Sequence, residues 1–115
     1  MQLTIYHNPR CRKSREALQY LEDKGVTPKI VRYLETPLEK GEMETLVQQL
    51  GGHTEGLIRK NESLWKSEYK DKLLTTIQQI QLLVDHPKLM ERPIISNGKK
   101  AVIGRPIEKL HQFLK

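Results

Sequence analysis

The sequence predicts an α/β domain on a mixed four-stranded sheet, in the order β-α-β, then helices, then β-β-α. Three observations predict it. Within the first 34 residues a β-prone run gives way to helical spacing and then to a second β-prone run. Two such strands joined by a helix are parallel, because a crossover of that length brings the chain back in the same direction. The middle of the chain carries apolar residues at helical spacing. Towards the end, two β-prone runs flank Asn97-Gly98, a strong hairpin signal, and a last amphipathic stretch follows.

The first strand is read over Leu3 to Tyr6, ending in the turn-like His7-Asn8-Pro9. Ala17, Leu18 and Leu21 then give the first helix its apolar stripe, and Gly25 stops it. The second strand is read over Lys29 to Leu34, behind Pro28. Beyond Thr36-Pro37, the residues Met43, Leu46, Val47 and Leu50 stand at i, i+3, i+4 and i+7 of a helix that Gly51-Gly52 ends. Glu55 to Lys60 is expected to form a short helix, and Glu62 to Lys72 a loop with a short helix. Trp65 and Tyr69 in that stretch suit a half-buried packing role better than a partner surface. Leu74, Ile77, Ile80, Leu83 and Val84 make another helix, finishing near His86-Pro87. Strands over Pro93 to Ser96 and Ala101 to Gly104 follow. The closing helix starts at Pro106 and buries Ile107, Leu110 and Leu114, with proline suited to the first turn. No repeat or linker divides the chain, so a single domain over 1–115 is expected, with a helical insertion over about 38–88.

The composition suits a folded core that needs neither disulfide nor metal. The opening MQLTIYHNPR lacks the apolar run of a signal peptide or membrane span, so a cytoplasmic location is expected. A single cysteine cannot form an internal disulfide. The net charge of +6 suits an anionic partner, but a solvated basic surface explains it equally well. His53, His86 and His111 show no ligand spacing with Cys11, which argues against a zinc site.

Cys11 stands where the first turn meets the first helix, among Arg10, Arg12, Lys13 and Arg15. A helix N-terminus has unpaired N–H groups and a partial positive charge, which favour a thiolate or a bound oxyanion. An ordinary thiol is only about 3 % ionised at neutral pH. Making it mostly thiolate takes about 2.7 kcal/mol, whereas a helix end supplies about 0.3–1 kcal/mol, and up to about 2 when partly buried. Nearby cations or hydrogen-bond donors must supply the remainder. Ser14, three residues on, occupies the place where dithiol oxidoreductases carry a second cysteine, so turnover at Cys11 would need an external thiol. Taken singly, Cys11 reads as a buried apolar filler, Ser14 as a helix cap and the arginines as surface residues.

The segment HNPRCRKSR resembles the nucleophile segment of the arsenate reductase family that works with glutathione and glutaredoxin, His-Asn-Pro-x-Cys-x-x-Ser-Arg. Further matches follow in order: Tyr33-Leu34-Glu35-Thr36-Pro37, Leu57-Ile58-Arg59-Lys60-Asn61, His86-Pro87, Arg92-Pro93-Ile94 and Gly104-Arg105-Pro106. The ordered set spans nearly the whole chain and is far more specific than any one piece.

The resemblance implies a thioredoxin-like core and a Cys11 nucleophile that forms a thiol–arsenate adduct. Arg59, Arg92 and Arg105 would hold the oxyanion. His7 and Ser14 would support the thiolate, and Asn8 and Arg15 would shape its loop within the substrate site. Pro93 matches a cis proline that faces this loop. Glutathione would serve as co-substrate and glutaredoxin as partner, with no bound cofactor, nucleic acid or membrane. Guanidinium groups suit this task, being permanently charged and binding tetrahedral oxyanions through paired N–H donors. Arg10 and Arg12 stand where well-known members carry small residues, and they add to the attraction for anions. Two other functions are compatible with the same residues: a reductase of glutathione mixed disulfides, and a non-catalytic regulator of the Spx type that binds RNA polymerase. The latter group usually carries the paired-cysteine switch that Ser14 removes here.

Overall fold

A computed structural model describes residues 2–115. Four strands, Thr4–Tyr6 (β1), Lys29–Val31 (β2), Ile94–Ser96 (β3) and Ala101–Ile103 (β4), form one sheet in the order β2-β1-β3-β4. β1 runs parallel to β2, with Ile5 opposite Ile30, and antiparallel to β3, with Ile5 opposite Ile95. β3 and β4 are antiparallel, with Ile95 opposite Val102. The helices are Arg12–Asp23 (α1), Lys40–Gln49 (α2), Thr76–Asp85 (α3) and Ile107–Phe113 (α4). This is the mixed four-stranded α/β architecture that the sequence predicts.

Strand alternation assigns each side chain to one of two apolar layers. Leu3, Ile5 and Ile95 pack with Ala17 and Leu21 of α1 and Leu110 of α4. Tyr6 and Ile94 take the opposite face, with Met43, Leu46 and Val47 of α2 and Ile80 and Leu83 of α3. Both faces of the short sheet are therefore covered. None of the helices among the described residues is long and apolar enough to cross a membrane.

Gly25 ends α1 as expected. At φ +79° it closes a left-handed turn, in which Val26 N donates to Leu21 O (2.9 Å) and Gly25 N to Glu22 O (3.0 Å). α2 and α3 each begin with a reciprocal capping box, Glu39 with Glu42 and Thr75 with Gln78. The N-terminus of α1 has no side-chain cap, and its first turn has no acidic residue. The helix end bearing Cys11 is thus left electropositive.

Three expectations need correction. Glu55 to Lys60 is not a helix. Gly56 takes φ +80°, in the left-handed region, so no right-handed helix runs through it, and Leu57 and Ile58 are both buried. The segment pairs instead with residues 89–91: Ile58 bridges Met90, Arg59 N donates to Leu89 O, and Glu91 N donates to Leu57 O, both at 2.7 Å. The second strand stops at Val31, because Glu35 N and Thr36 N both fold back onto Arg32 O. That turn buries Tyr33 and leaves Leu34 exposed. In α3, Ile77 is 70 % exposed, while Leu82 joins Ile80 and Leu83 in the buried set. The helix begins only at Thr76, so Ile77 lies in its first turn, away from the packed stripe. Trp65 and Tyr69 are half-buried and stacked in a wide helical turn, with ring centroids 6.2 Å apart.

Candidate active site

Cys11 is the N-cap residue of α1, with extended backbone (φ −93°, ψ 121°), and is partly exposed. Its loop is closed by local hydrogen bonds. Cys11 N donates to Asn8 O (3.0 Å), Arg10 N to Asn8 Oδ1 (3.0 Å), and Arg15 Nη1 to Pro9 O (3.0 Å). Asn8 and Arg15 therefore serve the shape of the loop, and neither lines the arginine cleft described below. Arg12 and Lys13 lie poorly for the helix dipole but both approach Glu16, at 3.3 and 3.7 Å. Arg10 is exposed.

Partial burial pushes the Cys11 thiol up, yet the net shift is below the ordinary value of 9.0. The opposing causes are, in turn, a hydrogen bond from the Ser14 backbone N–H, a hydrogen bond and charge attraction from the Arg92 guanidinium, and the Lys13 backbone N–H. Helix amides and one arginine together outweigh desolvation.

Behind the loop, His7 and Ser14 are both buried, and His7 Nδ1 lies 2.6 Å from Ser14 Oγ. The same Oγ accepts from Asn8 N (3.1 Å). The Ser14 hydroxyl is thus engaged with His7 and the loop, and it is the Ser14 backbone that reaches the sulfur. Burial, then the charges of Arg32 and Arg15, lower the His7 pKa below 6.5. A neutral imidazole at pH 7 follows.

Arg59, Arg92 and Arg105 come from three separate segments and meet in one cleft of about 420 Å³, together with Glu91 and Lys60. Arg59 arrives by the pairing of its segment with residues 89–91. Arg92 and Arg105 precede Pro93 and Pro106, both through cis peptide bonds, of which only the first is expected from the sequence. Because Gly104 N donates to Pro93 O (2.9 Å), the two X-Pro units are held beside one another. Arg92 links cleft and nucleophile, because it lines the cleft and its guanidinium is among the groups that lower the Cys11 pKa. Its Nε is buried with no protein partner.

Two residues here are missed by sequence reasoning. Tyr33 is buried against the same group, and its hydroxyl pKa is pushed up to about 12, first by burial, with Arg92 opposing and the Cys11 and Glu91 charges reinforcing. It lies in a matched segment, but nothing in that segment points its side chain at the sulfur. Glu91 stands between two of the arginines, and its only signal in sequence is adjacency to Arg92.

The chain thus has a thioredoxin-like sheet, one partly exposed cysteine at a helix start, and a cleft lined by three arginines. The ArsC family profile matches residues 6–113, and the chain belongs to that family. It is 47 % identical over 115 residues to the uncharacterized protein YfgD of Escherichia coli (strain K12), covering 98 % of this chain and 97 % of that one. It is 40 % identical over 116 residues to an arsenate reductase of Haemophilus influenzae, covering 99 % of this chain and all of that one. Among solved structures, the arsenate reductase from Vibrio cholerae superposes with a TM-score of 0.89 at 41 % identity, covering 97 % of each chain.

Proposed function

We propose that the protein reduces arsenate to arsenite through a thiol–arsenate adduct on Cys11, with glutathione as co-substrate and glutaredoxin as partner. One observation carries this reading: Arg92 stabilises the Cys11 thiolate while walling a cleft with Arg59 and Arg105. A tetrahedral anion held by these guanidiniums would lie within reach of the nucleophile. The arsenate reductases among the relatives, similar over their whole length, support the same choice.

The Cys11 thiolate forms an S–As bond, and one arsenate oxygen leaves as water after taking up protons. Glutathione's sulfur then joins that of Cys11. The S–As bond breaks with its electron pair going to arsenic, and arsenite departs. Glutaredoxin reduces the Cys11–glutathione disulfide and restores the thiol. With only one cysteine in the sequence, both reducing sulfurs are external, which suits a glutathione-rich cytoplasm.

Arsenite formed from arsenate, glutathione and glutaredoxin tests the proposal. Turnover should require all three and vanish in Cys11→Ser. Arg92→Ala removes a charge-assisted hydrogen bond of about 1.5–3 kcal/mol, so kcat/KM should fall roughly 10- to 150-fold. Undiminished turnover in Cys11→Ser would overturn the mechanism. Thiol consumption that needs no arsenate would instead make the protein a reductase of glutathione mixed disulfides.

A further inference from the structure

Glu91 is a carboxylate placed inside an anion-binding wall. Its Oε1 lies 3.7 Å from Arg92 Nη1 and 3.6 Å from Arg105 Nη1, and it also accepts the Arg92 backbone N–H at 3.3 Å. The side chain is one-quarter exposed and lines the cleft with the three arginines. Glu62, the partner of Arg59 at 3.5 Å, lies outside that lining. Glu55 lines the cleft as well, but the lining carboxylate that pairs with two of its arginines is Glu91.

We propose that Glu91 determines specificity by requiring the bound tetrahedral anion to carry a hydroxyl. The inference rests on the oxyanion reading above and deepens it. An ionised carboxylate can only accept hydrogen bonds. An unprotonated anion oxygen is also only an acceptor, so the two repel when brought together in a partly desolvated cleft. Arsenate and phosphate keep at least one hydroxyl near neutral pH, and that hydroxyl can donate to Glu91 while the other oxygens take the arginine N–H groups. Sulfate has the same shape but no hydrogen to give. Glu91 therefore turns a general site for tetrahedral anions into one that admits hydrogen arsenate and hydrogen phosphate and rejects sulfate. Selection by an opposed like group is a general route to specificity, effective because the wrong ligand is penalised rather than merely unrewarded.

The test measures how well each anion slows alkylation of Cys11 by iodoacetamide, an uncharged reagent, at constant ionic strength and neutral pH. In the wild-type protein, arsenate and phosphate should protect at concentrations about tenfold or more below sulfate, a gap of about 1.4 kcal/mol or more. Glu91→Gln keeps the side chain's size and adds an N–H donor, so sulfate should gain at least about tenfold relative to phosphate. The wild-type comparison stands even if the variant folds poorly. Sulfate protecting the wild type as well as phosphate does would overturn the role of Glu91 and leave the oxyanion site intact. So would a Glu91→Gln variant that tightens all three anions by one common factor, since Glu91 would then only be lowering the local charge. If no anion protects either protein, the oxyanion reading itself fails.

Discussion

At the scale of single residues, the chemistry depends on how few groups are asked to hold one negative sulfur. Arg92 is the one side chain whose hydrogen bond and charge both favour the Cys11 thiolate. The rate of alkylation against pH should therefore show a midpoint below 9.0, and Arg92→Ala should move it upward. A midpoint that stays put in the variant would show that the helix amides suffice. His7 and Ser14 make a separate, buried pair behind the loop. Ser14→Ala leaves the imidazole Nδ1 and the Asn8 N–H without their partner, at a cost of about 1–3 kcal/mol in a urea titration. The lowered His7 pKa also fixes a sign. Above 6.5 the ring is neutral in folded and unfolded chains alike, and its contribution is fully present. Below 6.5 the unfolded chain binds the proton first, so stability falls with falling pH. His7→Gln should show a shallower loss between pH 7 and pH 5 than the wild type, read from the urea midpoint; an equal slope would remove His7 as a cause.

At the scale of elements, the segment that breaks its predicted form is also the one that matters for the site. Leu57 and Ile58 are both buried, and their pairing with residues 89–91 brings Arg59 alongside Glu91 and Arg92. Helical spacing in the insertion was otherwise a sound guide, with one shift of register in α3. Leu83 there is fully buried, whereas Ile77 is mostly in solvent. Leu83→Ala should cost about 2–5 kcal/mol, and Ile77→Ala should stay within about 0.5 kcal/mol. Comparable losses at the two positions would mean that α3 packs on a different face.

At the scale of the whole molecule, the sheet lies between two apolar layers, and the arginines enter from different parts of the chain. Trp65, the one tryptophan in the sequence, packs against the layer that holds α2 and α3, far in sequence from the strands. If residues 1–115 fold as one unit, its fluorescence and the far-ultraviolet circular dichroism should lose signal at the same urea concentration. Separate midpoints would make the helical insertion an independent unit.

The order of strands and helices, the Cys11 position at a helix start and the three candidate arginines were legible from the sequence, because periodicity, turn residues and the matched segments are local features. The sequence also placed Asn8, Ser14 and Arg15 in the loop and first helical turn around Cys11, and Pro93 after a cis bond. Only the folded chain decided which arginine reaches the sulfur, that Tyr33 is buried beside it, and that Glu91 stands between Arg92 and Arg105. The reason is physical. Spacing along a chain reports which face of an element a side chain takes, but contacts between segments tens of residues apart are set by how the layers pack. Here that packing runs through the pairing of residues 57–59 with residues 89–91, for which local propensity carries no signal.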